Sequence, residues 1–344
     1  MQARTETDVR TLWYTRCPMP TASGLAIELG WLDEEFATNG IEVLSLRASA
    51  DRAVRESHFT HSQDDSFREG GNTPPIWSRS QGADTRLIGM TWIDQYQTIV
   101  ALPASGIRKP ADLRGRRLGV PRHLNDQIDF WRGKSLRGIL TALELVGLSR
   151  DDVELVDLSE EETFLGDEEA SRSGTLWSAK RQMAILRAEA FALVRGEVDA
   201  INLTGARGAM LEALLGAVRV VDLGGHPDPE VRISNGIPMA FTVSGALVRE
   251  CPDLARRYLD TVRRAARWAR EHQSETRRII ARELGDAEEW VELAYGDGLY
   301  SNLEPSLSDN LLRAMDNQQR FLHAHGFIDQ EIDVWEWAAP ELYG

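Results

Sequence analysis

Residues 12–32, LWYTRCPMPTASGLAIELGWL, run an apolar segment into a cysteine, a Pro-Met-Pro turn and an amphipathic stretch. The segment RTLWYT predicts a first strand. Apolar positions at Leu25, Ile27, Leu29 and Leu32 predict one helix over about 21–38, closed by Asn39-Gly40. IEVLSL then supplies the next strand. A strand that feeds a helix and returns as a strand is the unit of an α/β fold. It places Cys17 at the mouth between strand end and helix start.

Outward from this unit the alternation continues. TRLIGMTW, DDVELVDL, VDAINLTG, VRVVDLGG and the start of MAFTVSGALVR read as strands, and MAILRAEAFALVRG reads as a helix closed by Gly196. After Cys251 the chain is mostly helical and rich in arginine. A crossing near 95–105 and a return near 235–245 predict two α/β lobes. Residues 1–98 with 238–344 form the first and 99–237 the second. Ligands of such folds bind beyond the carboxyl ends of strands, in the crevice between lobes. The polar segment 48–72 interrupts the rhythm and reads as a long loop, a candidate lid over a ligand.

The chain has 344 residues, 39 Lys plus Arg against 54 Asp plus Glu, and a net charge of -15. That balance argues against a nucleic-acid backbone or an anionic membrane as partner. It leaves room for a small anionic ligand, because one arginine in a pocket outweighs a distant field. The first residues, MQARTETDVRTLW, contain no apolar core of a secretory signal, and two cysteines make no disulfide framework. A cytoplasmic, monomeric protein is the expectation.

Cys17 precedes a helix start capped by Thr21 or Ser23, where the helix dipole favours a thiolate; the alternative is a small buried hydrophobe. Cys251 reads as a helix-start residue on a charged surface. The block ESHFTHSQDDSFREGGNTPPIW, residues 56–77, holds His58, Phe59, His61, Gln63, Arg68, Gly70 and Gly71. The diglycine lets backbone amides approach a ligand. Asn72 or Thr73 can cap a helix whose free amides would hold an anion. Arg68 offers a planar, two-pronged donor for a carboxylate, sulfinate or phosphate. The alternative is a solvated loop with a capped helix. The pairs His58/His61 and His323/His325 come without acidic or thiol ligands at zinc spacing, so no metal is expected. Trp131 and Trp177 precede helical patterns and are candidate pocket walls.

The motifs TRCPMP, SHFTH, FREGGNTPP and WEWAAPELY together resemble the aryl sulfinate desulfinase family of dibenzothiophene desulfurization. The resemblance runs from TLWYTRCP to FLHAHGFIDQEIDVWEWAAPEL. It implies a type II periplasmic-binding-protein-like architecture without a transport role. It also implies a catalytic set of Cys17, His58 and Arg68, with the Gly71 amide on a sulfinate oxygen. Phe59 and Gln63 match pocket positions, and His61 stands where the family carries an aromatic phenol.

The function so implied is cofactor-independent hydrolysis of the C–S bond of a small aromatic sulfinate, releasing sulfite. The pathway resemblance further implies a flavin-dependent oxygenase upstream. Two alternatives stay open: a solute-binding protein for a sulfonate, sulfinate or aromatic acid, and another cofactor-free cysteine lyase or decarboxylase on the same scaffold.

Overall fold

The computed structural model describes residues 5–164 and 185–343. Among these residues ten strands form two mixed sheets: β1 (Thr11–Arg16), β2 (Glu42–Ser45), β3 (Ser66–Gly70), β4 (Thr85–Thr91), β5 (Gln97–Ala101), β6 (Arg117–His123), β7 (Glu154–Glu160), β8 (Ala200–Thr204), β9 (Val218–Asp222) and β10 (Met239–Ser244). The first sheet has the order β2-β1-β3-β10-β4 and the second β7-β6-β8-β5-β9. In the first, β1 lies parallel to β2 and β3, while β10 enters antiparallel between β3 and β4. In the second, β6 is parallel to β7 and β8, and β5 is antiparallel to β8 and β9.

The chain thus leaves the first sheet after β4 and re-enters it as β10. β5 pairs with β8 and β9, so Gln97 already lies in the second sheet, within the crossing expected near 95–105. Apolar side chains of β1, β3 and β10 pack against the long C-terminal helix Pro252–Glu271, where the Tyr258 ring stacks on Phe67 at 3.7 Å. Among the described residues no helix is long and apolar enough to cross a membrane.

Two sequence expectations change. The helix expected over 21–38 is two: α1 (Ala22–Glu28) and α2 (Trp31–Ala37). Gly30 separates them with φ +75°, a left-handed conformation that ends one helix before the next begins. The segment 48–72 is not a loop. It contains α3 (Arg52–Thr60), capped by the Asp51 carboxylate on the Ala53 amide, and the central strand β3. Both were missed because their buried positions are polar: Arg55, Ser57 and His58 on α3, Arg68 and Glu69 on β3. Two further helices border the site, α4 (Thr73–Ser80) and α5 (Phe130–Glu144).

Candidate active site

A cleft holding about 810 Å³ of unfilled space, its mouth included, opens between the two sheets. The carboxyl ends of β1, β3 and β8 deliver Cys17, Gly71 and Thr204 to it, the strand ends at which α/β folds bind ligands. A second, more open groove beside Arg263 and Arg270 brings no thiol or histidine to its walls.

Successive residues of a strand face opposite ways, and β3 uses this. Arg68, 2% exposed, points to the cleft: Nε donates to His58 O (3.0 Å), one terminal nitrogen to Gly71 O (2.9 Å), the other to Cys17 Sγ (3.4 Å). Among the described residues no carboxylate pairs with it, which leaves its charge for a ligand. Glu69, on the opposite face, accepts from the Ser23 amide (2.7 Å) and more distantly from Ala22 (3.4 Å). Burial pushes its carboxyl above the ordinary value, against the pull of those donors.

Glu69 overturns the expectation that the α1 dipole serves Cys17. Glu69 takes the first amides of α1, and Thr21 Oγ1 accepts from Gly24 (3.2 Å). The positive group beside Cys17 is Arg68 instead. The expected anion site at the start of α4 also fails. Asn72 does not cap it; Thr73 N donates to Asn235 Oδ1 (3.0 Å), Pro74 and Pro75 have no amide hydrogen, and Ile76 N bonds Asn72 O. Asn72 turns its amide to Ser234 O and Pro238 O, so this motif locks the 234–238 segment onto β3.

Cys17 is held by its amide on Glu69 O (3.0 Å), and Arg16 before it forms a paired ion contact with Glu283. His58 Nε2 lies 3.9 Å from Cys17 Sγ, and Nδ1 lies 2.8 Å from Thr15 Oγ1. His58 is fully buried. Burial first, then the charges of Arg68 and Arg47, push its pKa well below the imidazole value. It is therefore neutral at pH 7, and the turn of the Thr15 hydroxyl decides whether Nε2 offers Cys17 a lone pair or a proton. Two glycines are obligatory. At Gly70 (φ +154°) a Cβ would lie 2.4 Å from Cys17 Sγ, and at Gly71 2.5 Å from the Asn235 amide.

The other anticipated residues divide. Phe59 and Trp131 line the cleft. His61 does not: it ends α3 with φ +54°, and its Nδ1 lies 3.0 Å from Phe59 O and from Ser78 Oγ. Gln63 also lies away from the cleft, its side chain turned to Asp64 O. Cys251 is not on a charged surface but buried in the main core, and neither cysteine is in a disulfide. Trp177 lies outside the described residues. Sequence reasoning missed Phe130, Lys134, Phe164 and Asn235. A spacing of aromatic, aromatic and lysine at 130, 131 and 134 behind the helix-capping Asp129 was the available signal for the first two. Nothing local marked the others. Phe164 stacks on His58 with ring centroids 5.5 Å apart, and Phe59, Phe130 and Phe164 form a contiguous aromatic wall.

His61 carries a pH prediction. Burial, then Arg68, lower its pKa to about 3, the contact with Phe59 O acting the other way. The unfolded chain takes up a proton below pH 6.5 that the folded chain refuses, so stability is full above 6.5 and declines as pH falls towards 3. Each such histidine adds a slope of about 1.4 kcal/mol per pH unit. Urea unfolding between pH 6.5 and 4 should be less steeply pH-dependent by about that amount in His61→Gln. Equal slopes would contradict the burial argument.

Comparisons with known proteins bear directly on this site. The NMT1/THI5-like family model matches residues 24–171. The 2'-hydroxybiphenyl-2-sulfinate desulfinases of Rhodococcus erythropolis and Rhodococcus qingshengii are each 32% identical over 351 residues, covering 96% of this chain and 92% of theirs. The chain belongs to the 2'-hydroxybiphenyl-2-sulfinate desulfinase family.

Within that family, the crystal structure of a cysteine-to-serine mutant of DszB in complex with biphenyl-2-sulfinic acid matches with a TM-score of 0.77. The two are 30% identical over 97% of both chains. The periplasmic aliphatic sulphonate binding protein SsuA from Escherichia coli matches with a TM-score of 0.68 at 15% identity, over 96% of this chain and 92% of its own. That likeness establishes the periplasmic-binding-protein fold alone. The desulfinase family and the fold are therefore those expected from the motifs around Cys17 and Arg68.

Proposed function

We propose that this protein is a desulfinase that hydrolyses the C–S bond of an aromatic sulfinate of the 2'-hydroxybiphenyl-2-sulfinate type. The balance is ArSO2− + H2O → ArH + HSO3−, which takes in no oxidant or reductant. One observation carries the reading: a thiol, a guanidinium with no carboxylate partner among the described residues and an obligatory glycine meet at one end of an aromatic-walled cleft. The chain that builds this arrangement is akin over nearly its whole length to enzymes bearing that name.

Arg68 and the Gly71 amide hold the sulfinate oxygens, a preorganised electrostatic role that strengthens as charge grows on them. The ring lies against Phe59, Phe130 and Phe164. Cys17 reaches the reacting atoms by one of two routes. As a thiolate it attacks sulfur, the C–S pair takes a proton at the ipso carbon, and water releases sulfite from the enzyme sulfur. As a thiol it protonates the ipso carbon, sulfur dioxide leaves, and hydration gives hydrogen sulfite and returns the proton. Neutral His58 accepts or returns that proton in either case. Acid-quenched mass spectrometry separates the routes, since only the first leaves sulfur dioxide bound to Cys17. Two cysteines outside any disulfide suit a reducing cytoplasm, and we take the chain to act as a monomer.

The test is sulfite release, with matching 2-hydroxybiphenyl, from 2'-hydroxybiphenyl-2-sulfinate by the purified protein. Stoichiometric release supports a desulfinase. Tight binding without release would turn the reading to a receptor, the role in which the sulfonate-binding relatives use this fold.

A further inference from the structure

The mechanism above uses one cation of the cleft and leaves a second without a task. Lys134 lies on α5, one turn beyond Phe130 and three residues beyond Trp131, so helical spacing brings all three to the cleft face. Its Nζ stands 4.6 Å from the centroid of the Trp131 ring, a cation–π contact. Among the described residues it has no hydrogen bond and no ion pair. The acid whose field reaches it, Glu189, offsets only part of its burial, and its pKa falls to about 8. Arg207, also on the cleft, is by contrast 3.8 Å from Asp286. Lys134 is half-buried, and an ammonium partly withdrawn from water with only an aromatic face beside it gains from a ligand that supplies a hydrogen-bond acceptor.

The placement is informative. The groups for the sulfinate come from β1, α3 and β3 of the first sheet, whereas Lys134 comes from α5, which packs on β5, β6 and β8 of the second. Arg68 and Lys134 thus enter the cleft from different sheets, and Phe59, Phe130 and Phe164 share its walls. Resting on the desulfinase reading, we propose that Lys134 is the specificity determinant for a hydroxyl on the ring distal to the sulfinate, its ammonium donating to that oxygen. The substrate class that satisfies both cations is a biaryl with a sulfinate on one ring and a phenolic hydroxyl on the other. An aryl sulfinate lacking the hydroxyl leaves the ammonium unpartnered.

The experiment compares kcat/KM for sulfite release from 2'-hydroxybiphenyl-2-sulfinate and from biphenyl-2-sulfinate. Wild type, Lys134→Met and Lys134→Arg are assayed side by side. A hydrogen bond to a charged group corresponds to a preference of about 10- to 100-fold for the hydroxylated compound in the wild type. In Lys134→Met that ratio should fall to within about threefold of unity, while Lys134→Arg keeps part of it. A ratio unchanged in Lys134→Met, including equal losses on both compounds, would overturn the proposal. So would a wild type without preference. If the wild type releases sulfite from neither compound, the desulfinase reading fails, and calorimetric Kd values for the two compounds still decide the lysine. A hydroxyl preference that vanishes in Lys134→Met supports it, and equal affinities overturn it.

Discussion

Cys17→Ser should abolish sulfite release while leaving the ligand site intact. Serine keeps the shape of the side chain within a fraction of an ångström, so the amide bond to Glu69 O and the packing against Gly70 persist. What is lost is the reactive sulfur. A hydroxyl is a far weaker acid and nucleophile than a thiol, and His58 is too poor a base to activate it, since burial and two arginines oppose its protonation. The expected loss in kcat is about 10^4-fold or more, the scale seen when an essential nucleophile is removed. The Kd for biphenyl-2-sulfinate, read by calorimetry, should change by less than about threefold, because in the proposed arrangement Arg68 and the Gly71 amide rather than Cys17 hold the sulfinate oxygens. Residual turnover of several per cent would remove Cys17 from the chemistry. A parallel collapse of binding would mean that the thiol is a binding group.

Arg68→Met should damage folding and catalysis together, where Cys17→Ser damages catalysis alone. The guanidinium closes the site by donating to two buried carbonyls, His58 O and Gly71 O, and to Cys17 Sγ. Methionine fills the space but leaves both carbonyls without their donor, at about 1–3 kcal/mol each. Relief of a buried charge offsets part of that, so a net loss of about 2–4 kcal/mol is expected from urea unfolding. Transition-state stabilisation falls further, with kcat/KM down by about 10^3-fold. Arg68→Lys separates the two effects. One ammonium restores charge but cannot serve three acceptors in a planar fork, so it should recover binding more than kcat. Full activity in Arg68→Lys would show that only charge matters at this position.

Much of this protein could be read in one dimension. The segment 12–32 announced a strand-turn-helix with a cysteine at its corner, because period and turn chemistry are local properties. The pair of crossings announced two sheets. Arg68, Gly70 and Gly71 stood out because a guanidinium is a two-pronged donor for a small anion and a diglycine lets backbone amides approach a ligand. Those same polar residues hid β3 and α3, since burial without apolar periodicity leaves no pattern to count. The candidate site residues were conspicuous where the secondary structure was illegible.

What only the tertiary structure decided is which groups meet. The sequence placed Cys17 at a helix start and Asn72 at another, and local rules assigned both ends to anions. The fold assigns them differently: Glu69 from β3 fills the first, and Asn235, more than 160 residues away, caps the second. The same spacing argument put His61 with His58, yet the left-handed turn that ends α3 sends one ring to Ser78 and leaves the other beside Cys17. The far wall of Phe130, Lys134 and Phe164 comes from the other sheet. The sequence determined the chemistry available, because side-chain identity is local. Partner choice, and hence the charge state of His58 and the freedom of Arg68 and Lys134 to meet a ligand, belongs to the packing of distant strands, because burial and electric fields sum over groups brought together in space.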